Sequence, residues 1–176
     1  RRVLEKKEGE HPQTVTSGIE KIDTALGGGF RPAEMVVIGA RPSVGKSSLL
    51  LYSALHAAAD GKKILYISAE MPIRQNAMRA LAAVSGVEMR QFNHAEQLTE
   101  AQRLEALRGL EAYGAGNIHQ YMATSIRVPD IRRLALNMRR SGGLDAIYVD
   151  YLGLLKAEHE RENRNACVAE ISTAIK

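Results

Sequence analysis

Apolar positions along this chain alternate between two rhythms. In "SGIEKIDTALGGGF" Ile19, Ile22, Ala25 and Leu26 recur at helical spacing, and the glycine run that begins at Gly27 stops the helix. "EMVVIG" follows, a short continuous apolar run rich in β-branched residues, which predicts a strand buried on both faces with Gly39 as its last residue. "GKSSLLLYSALHAAADG" predicts a helix closed by Gly61. The alternation then repeats. "KKILYISA" is a strand, 72–84 a helix, and 99–113 a second helix opened by a Thr99-x-x-Gln102 capping box. "NIHQYM" is a strand, 128–140 a helix with Pro129 in its first turn, and "LDAIYVD" a strand. Strands separated by helical crossovers predict an α/β fold, a mainly parallel sheet with helices on both faces.

With 176 residues, 45% of them hydrophobic, one sizeable core is expected. Residues 1–14 are charged and aperiodic and read as a linker or arm, leaving 15–176 as the domain. The longest apolar run, "SLLLYSALHAAA", is shorter than the roughly 20 residues of a membrane helix, and "RRVLEKKEGEHP" lacks a signal-peptide core. A soluble, cytoplasmic chain without membrane contact is the expectation. The single cysteine, Cys167, has no partner for a disulfide or a thiolate metal site, so a reducing compartment fits and its simplest role is a small residue on a helix face. A net charge of +4 suits a polyanion partner without identifying one. No tryptophan and only two phenylalanines signal no stacking surface for single strands.

Chemistry concentrates in "VVIGARPSVGKSSLLL", set between a predicted strand and helix. It matches the phosphate-binding pattern G-x-x-x-x-G-K-[ST], except that its first glycine position is held by Ala40. Such a loop wraps successive backbone N–H groups round phosphates at a helix N-terminus, where the helix dipole favours an anion. Gly45 must supply unusual backbone geometry, whereas Ala40 need only be small. The loop Ala40, Arg41, Pro42, Ser43, Val44, Gly45, Lys46, Ser47 and Ser48 is therefore the candidate nucleotide-phosphate site. Lys46 is placed to reach the β and γ phosphates, and the Ser47 hydroxyl to ligate Mg²⁺.

Asp150 ends the strand "AIYVD" at the sheet edge where ligands bind, and supplies the second metal carboxylate that such chemistry requires. Its alternative is a strand-end cap. Glu70 ends "ILYISAE" at the same edge, where a carboxylate can polarise an attacking water. Equally, it fits a first-turn glutamate favoured by the dipole of the helix beginning near Pro72.

The segments "TSGIEKIDTALGGGFRPAEMVVI", "ARPSVGKSSL", "ILYISAEMP", "MRALA", "IYVDYLGLL" and "AEISTAIK", in this order, resemble the motor domain of DnaB-type replicative helicases. "AEMP" together with "DYLGLL" is far more specific than the phosphate loop alone. The resemblance implies a RecA-like P-loop fold, a catalytic role for Glu70, and a hexamer that couples ATP hydrolysis to translocation on single-stranded DNA, with a primase and a helicase loader as further partners. Gly153 stands where many members have glutamine, a variation of divergent or phage-type members. In the family a glutamine sensor, a second DNA loop and an arginine finger lie beyond the position matching Lys176, so the domain is expected to be incomplete and the isolated chain to hydrolyse ATP hardly at all. By the same analogy "KAEHERENRN" would be a loop facing the hexamer channel, with Lys156, Arg161 and Arg164 against DNA phosphates; interleaved glutamates leave a solvated mixed-charge loop as the alternative. Arg132, Arg133, Arg139 and Arg140 read as the wet face of an amphipathic helix. Another RecA-like ATPase, such as a recombination mediator or a clock-type ATPase, and a non-catalytic nucleotide-binding assembly module are the rival readings.

Overall fold

A computed structural model describes residues 14–41, 43–68, 71–112, 116–123, 126–150 and 155–156. Three parallel strands form the central sheet: β1 (Ile64–Ser68), β2 (Ile118–Met122) and β4 (Ala146–Asp150), in the order β2-β1-β4. Ser68 pairs with both Met122 and Asp150, so the carboxyl ends of all three strands lie along one edge. All five residues of β1 are buried, as expected for the middle strand of a sheet covered on both faces. A separate two-residue pairing joins β3 (Ile126–Arg127) to β5 (Leu155–Lys156).

Helices cover both faces. On one, α2 (Lys46–Ala59) and α3 (Ile73–Ser85) set Leu51, Ala54, Leu55, Ala57, Ala58 and Ala80 against Ile64, Tyr66 and Tyr148. Three of these alanines, Ala54, Ala57 and Ala58, are fully buried, and their small side chains let α2 lie close on the sheet. On the other face α5 (Val128–Ser141) buries Val128 and Ile131 against Leu65 and Ile67, with Ile147 and Val149 packed at the margin. Its arginines Arg132, Arg133, Arg139 and Arg140 are exposed, as the amphipathic pattern predicts. Among the described residues no helix is long and apolar enough to cross a membrane.

Local signals account for most boundaries. α1 (Glu20–Ala25) ends before Gly27, whose φ is 70°. α4 (Glu100–Ala112) begins with the reciprocal box: Thr99 N–H donates to Gln102 Oε1 at 3.0 Å and Gln102 N–H to Thr99 Oγ1 at 3.2 Å.

One expectation fails. Residues 34–40 are irregular backbone, not a buried strand, and Val36 and Val37 are 41% and 60% exposed. A β-branched run becomes a strand only where a neighbour supplies a hydrogen-bond ladder, and among the described residues none flanks this segment. Gly39 is therefore not a strand terminus, and Ala40 is exposed in irregular backbone.

Candidate functional site

The loop from Ser43 into α2 is built on two backbone excursions. Ser43 has φ 65°, and Gly45, which caps the N-terminus of α2, has φ 109° and ψ 17°. A side chain at Gly45 would be strained whatever the space around it. No side chain caps α2, whose first turn starts at Lys46 and includes Ser47 and Ser48. A helix N-terminus offers an anion backbone N–H donors and the helix dipole. Ala40, Arg41, Ser43 and Val44 are exposed along the approach; Pro42 lies outside the described residues.

Lys46, the first residue of α2, reaches the sheet edge. Its Nζ lies 3.6 Å from Oδ1 of Asp150, the last residue of β4. The two side chains differ sharply in environment, with Lys46 26% exposed and Asp150 fully buried. Among the described residues neither carboxylate oxygen of Asp150 has a hydrogen-bond partner. A buried carboxylate so placed needs cationic company. Lys46 provides it, and the remaining acceptor capacity of Asp150 and the hydroxyl of the half-buried Ser47, on the first turn of α2, are oxygen donors of the kind a hard cation such as magnesium takes.

Beside Asp150, Ser68 ends β1. Its hydroxyl donates to the Met71 carbonyl at 2.8 Å and accepts the Met71 N–H at 3.3 Å, a tight return of the chain towards α3. Glu70 falls between these two residues and lies outside the described residues. Lys156 is part of β5, where it pairs with Arg127, so it does not belong to a loop as expected; a two-residue strand leaves no periodic trace in sequence. Arg161 and Arg164 lie outside the described residues.

Three polar residues of this region escaped the reading of the sequence. Arg79 on α3 donates from Nη1 to Ser48 Oγ at 3.5 Å. Asn76 is buried on the same helix, and Tyr66 is buried on β1. Burial above all, and then the charge of Asp150, pushes the Tyr66 phenol pKa well above its ordinary value, while Arg79 opposes the shift. The available signal was a polar residue at a core position: Asn76 falls one helical turn before Ala80 in an otherwise apolar stripe.

The chain has relatives among known proteins. It is 31% identical over 179 residues to the replicative DNA helicase DnaB of Pasteurella multocida, covering 99% of this chain and 38% of that protein. It is 29% identical over 164 residues to the DnaB of Geobacillus stearothermophilus, covering 92% of this chain and 36% of the relative. It thus spans little more than a third of the length of these relatives. Among solved structures, a DnaB-like replicative helicase described with its interactions with primase superposes with a TM-score of 0.81 at 22% identity, over 91% of this chain and 40% of that one. A second solved structure, described as an ATPase domain, superposes at 0.84 and 20% identity, over 95% of this chain and 60% of that one. The fold is therefore the RecA-like α/β fold of these ATPase domains. The family described as DnaB-like helicase C terminal domain matches residues 14–176, and the chain belongs to it.

Proposed function

We propose that residues 15–176 form the nucleotide-binding motor domain of a hexameric replicative DNA helicase, with 1–14 as an arm leading into it. The observation that carries this reading is the meeting of Lys46 with the buried, hydrogen-bond-deficient carboxylate of Asp150, at the carboxyl edge of a parallel sheet and at the start of an uncapped helix. The backbone N–H groups of the loop from Ala40 to Ser48 wrap the phosphates of ATP, and Gly45 permits their close approach. Lys46 reaches the β and γ phosphates, and Ser47 and Asp150 would hold magnesium. The magnesium ion, when bound, neutralises charge on the phosphates during transfer. Glu70, two residues beyond the end of β1, accepts a proton from the attacking water. Lys156, Arg161 and Arg164 contact the phosphates of single-stranded DNA in the channel of a ring of identical subunits. Primase and a helicase loader are the further partners of this reading, and the cytoplasm its location.

The test is ATP-dependent unwinding of a forked duplex by the full-length protein that carries this domain. Glu70→Gln should leave Mg·ATP binding nearly intact, lower hydrolysis by on the order of 10² to 10⁴, and abolish unwinding. Hydrolysis at the unmodified rate returns Glu70 to a capping role, and absence of unwinding by the unmodified protein overturns the motor reading.

A further inference from the structure

Four buried polar groups lack hydrogen-bond partners among the described residues: the Tyr66 hydroxyl, the Asn76 side-chain nitrogen, Gln120 Oε1, which stands opposite Tyr66 in the β1–β2 register, and the Asp150 carboxylate. Tyr66 and Asp150 are fully covered and Asn76 is 1% exposed. Buried polar groups are very rarely left unpaired, so several in one region need a common explanation, and Tyr66, Asn76 and Asp150 are the most deeply covered of them.

Their placement brings them together. The β1–β4 register sets Tyr66 opposite Tyr148 and Ser68 opposite Asp150, so Tyr66 and Asp150 share a sheet face two positions apart along the strands. Ala80, one turn beyond Asn76 on α3, belongs to the same buried cluster as Tyr66. Arg79, on the turn between, reaches Ser48 and acts electrostatically on Tyr66, which ties this stretch of α3 to the start of α2. The chemistry is complementary: a phenol and an amide nitrogen donate, and an ionised carboxylate only accepts. One water can accept from both donors and donate to the carboxylate, and buried waters typically make about three such bonds.

We propose that Tyr66 and Asn76 are positioning residues for Asp150, which through a shared buried water fix its carboxylate in the orientation that receives magnesium. This rests on the assignment of Asp150 as a metal ligand. The raised pKa of Tyr66 agrees with it, since the phenol stays protonated and able to donate at physiological pH.

The experiment uses the full-length protein, a fluorescent ATP analogue and two readouts: the Mg²⁺ concentration at half-saturation of analogue binding, and the melting midpoint without nucleotide. Tyr66→Phe removes only the hydroxyl, and Asn76→Leu removes the amide at similar volume. Each should raise the half-saturating Mg²⁺ concentration by about threefold to tenfold without raising the melting midpoint. Ser53→Ala, which breaks the 3.1 Å hydroxyl contact to Tyr148 on the same sheet face, should lower the midpoint and leave the Mg²⁺ dependence unchanged. If the groups are unconnected, Tyr66→Phe raises the midpoint by deleting an unpartnered hydroxyl and leaves the Mg²⁺ dependence as it was, which overturns the proposal. A shift with Tyr66→Phe alone also overturns it, because the water requires both donors. Analogue binding by the unmodified protein that ignores Mg²⁺ overturns the assignment of Asp150 itself, and the proposal with it.

Discussion

Gly45→Ala isolates what the loop's backbone contributes. Gly45 holds φ 109° and ψ 17° at the N-terminus of α2, and a Cβ built there meets nothing within 4 Å. No steric collision with the protein contributes, so the cost within the chain is the local conformation, about 1–3 kcal/mol for an L residue held in such a region. Residues 43–45 are exposed, and the free loop can relax away from that conformation. Global stability should therefore fall by less than about 1 kcal/mol. Nucleotide binding must restore the conformation, so the cost appears in affinity, as a loss of about 5- to 150-fold. Gly39→Ala is the control. Its φ lies outside the left-handed region and its added Cβ also meets nothing, so affinity should stay within about twofold. Calorimetric titration of both variants with Mg·ATP, beside urea unfolding, reads the two quantities. Equal affinities for Gly45→Ala and Gly39→Ala would refute the reasoning, because only Gly45 combines the left-handed backbone with a place in the phosphate loop.

Other outcomes follow from the packing and the charges. Leu51, 3% exposed between α2 and the sheet, should cost about 2–5 kcal/mol on replacement by alanine, measured by urea unfolding. Tyr148 has its pKa raised, chiefly by burial, against a hydrogen bond from Ser53 that lowers it, and Tyr66 is raised by burial and Asp150. A phenol with a raised folded pKa contributes stability that is intact below its unfolded pKa of about 10 and is lost as pH rises towards the folded value. Unfolding followed across alkaline pH should show this loss beginning near pH 10, and Tyr66→Phe should make it shallower. Arg161→Ala combined with Arg164→Ala in the full-length protein should reduce the salt dependence of single-stranded DNA binding by up to about two phosphate contacts, and an unchanged slope favours the solvated-loop alternative.

Much of the fold was legible because each element carried its own signal. The apolar cores of "KKILYISA" and "LDAIYVD", the Thr99–Gln102 box, Pro129 and Gly61 each specify local structure that the chain adopts. The element that failed, residues 34–40, had a strand-like composition, but a ladder depends on a neighbouring strand, which composition does not report. The 3-10 segment Met89–Gln97 and the two-residue β3–β5 pairing are too short or too irregular to leave a period. Lys46 and Asp150, which meet at 3.6 Å, could be singled out beforehand because one has a fixed spacing and the other ends a strand. Asn76 and Tyr66 were missed because their significance lies in having no partner once buried, a property of packing and not of pattern.

In the proposed function the loop at the start of α2 binds the phosphates of ATP through Lys46. Equilibrium titration of the protein with a fluorescent ATP analogue in the presence of Mg²⁺, comparing the unmodified chain with Lys46→Ala, tests it most directly. Loss of the ammonium should weaken binding on the order of 10- to 100-fold, the worth of a contact between a cation and phosphate oxygens. An unchanged affinity would contradict the claim.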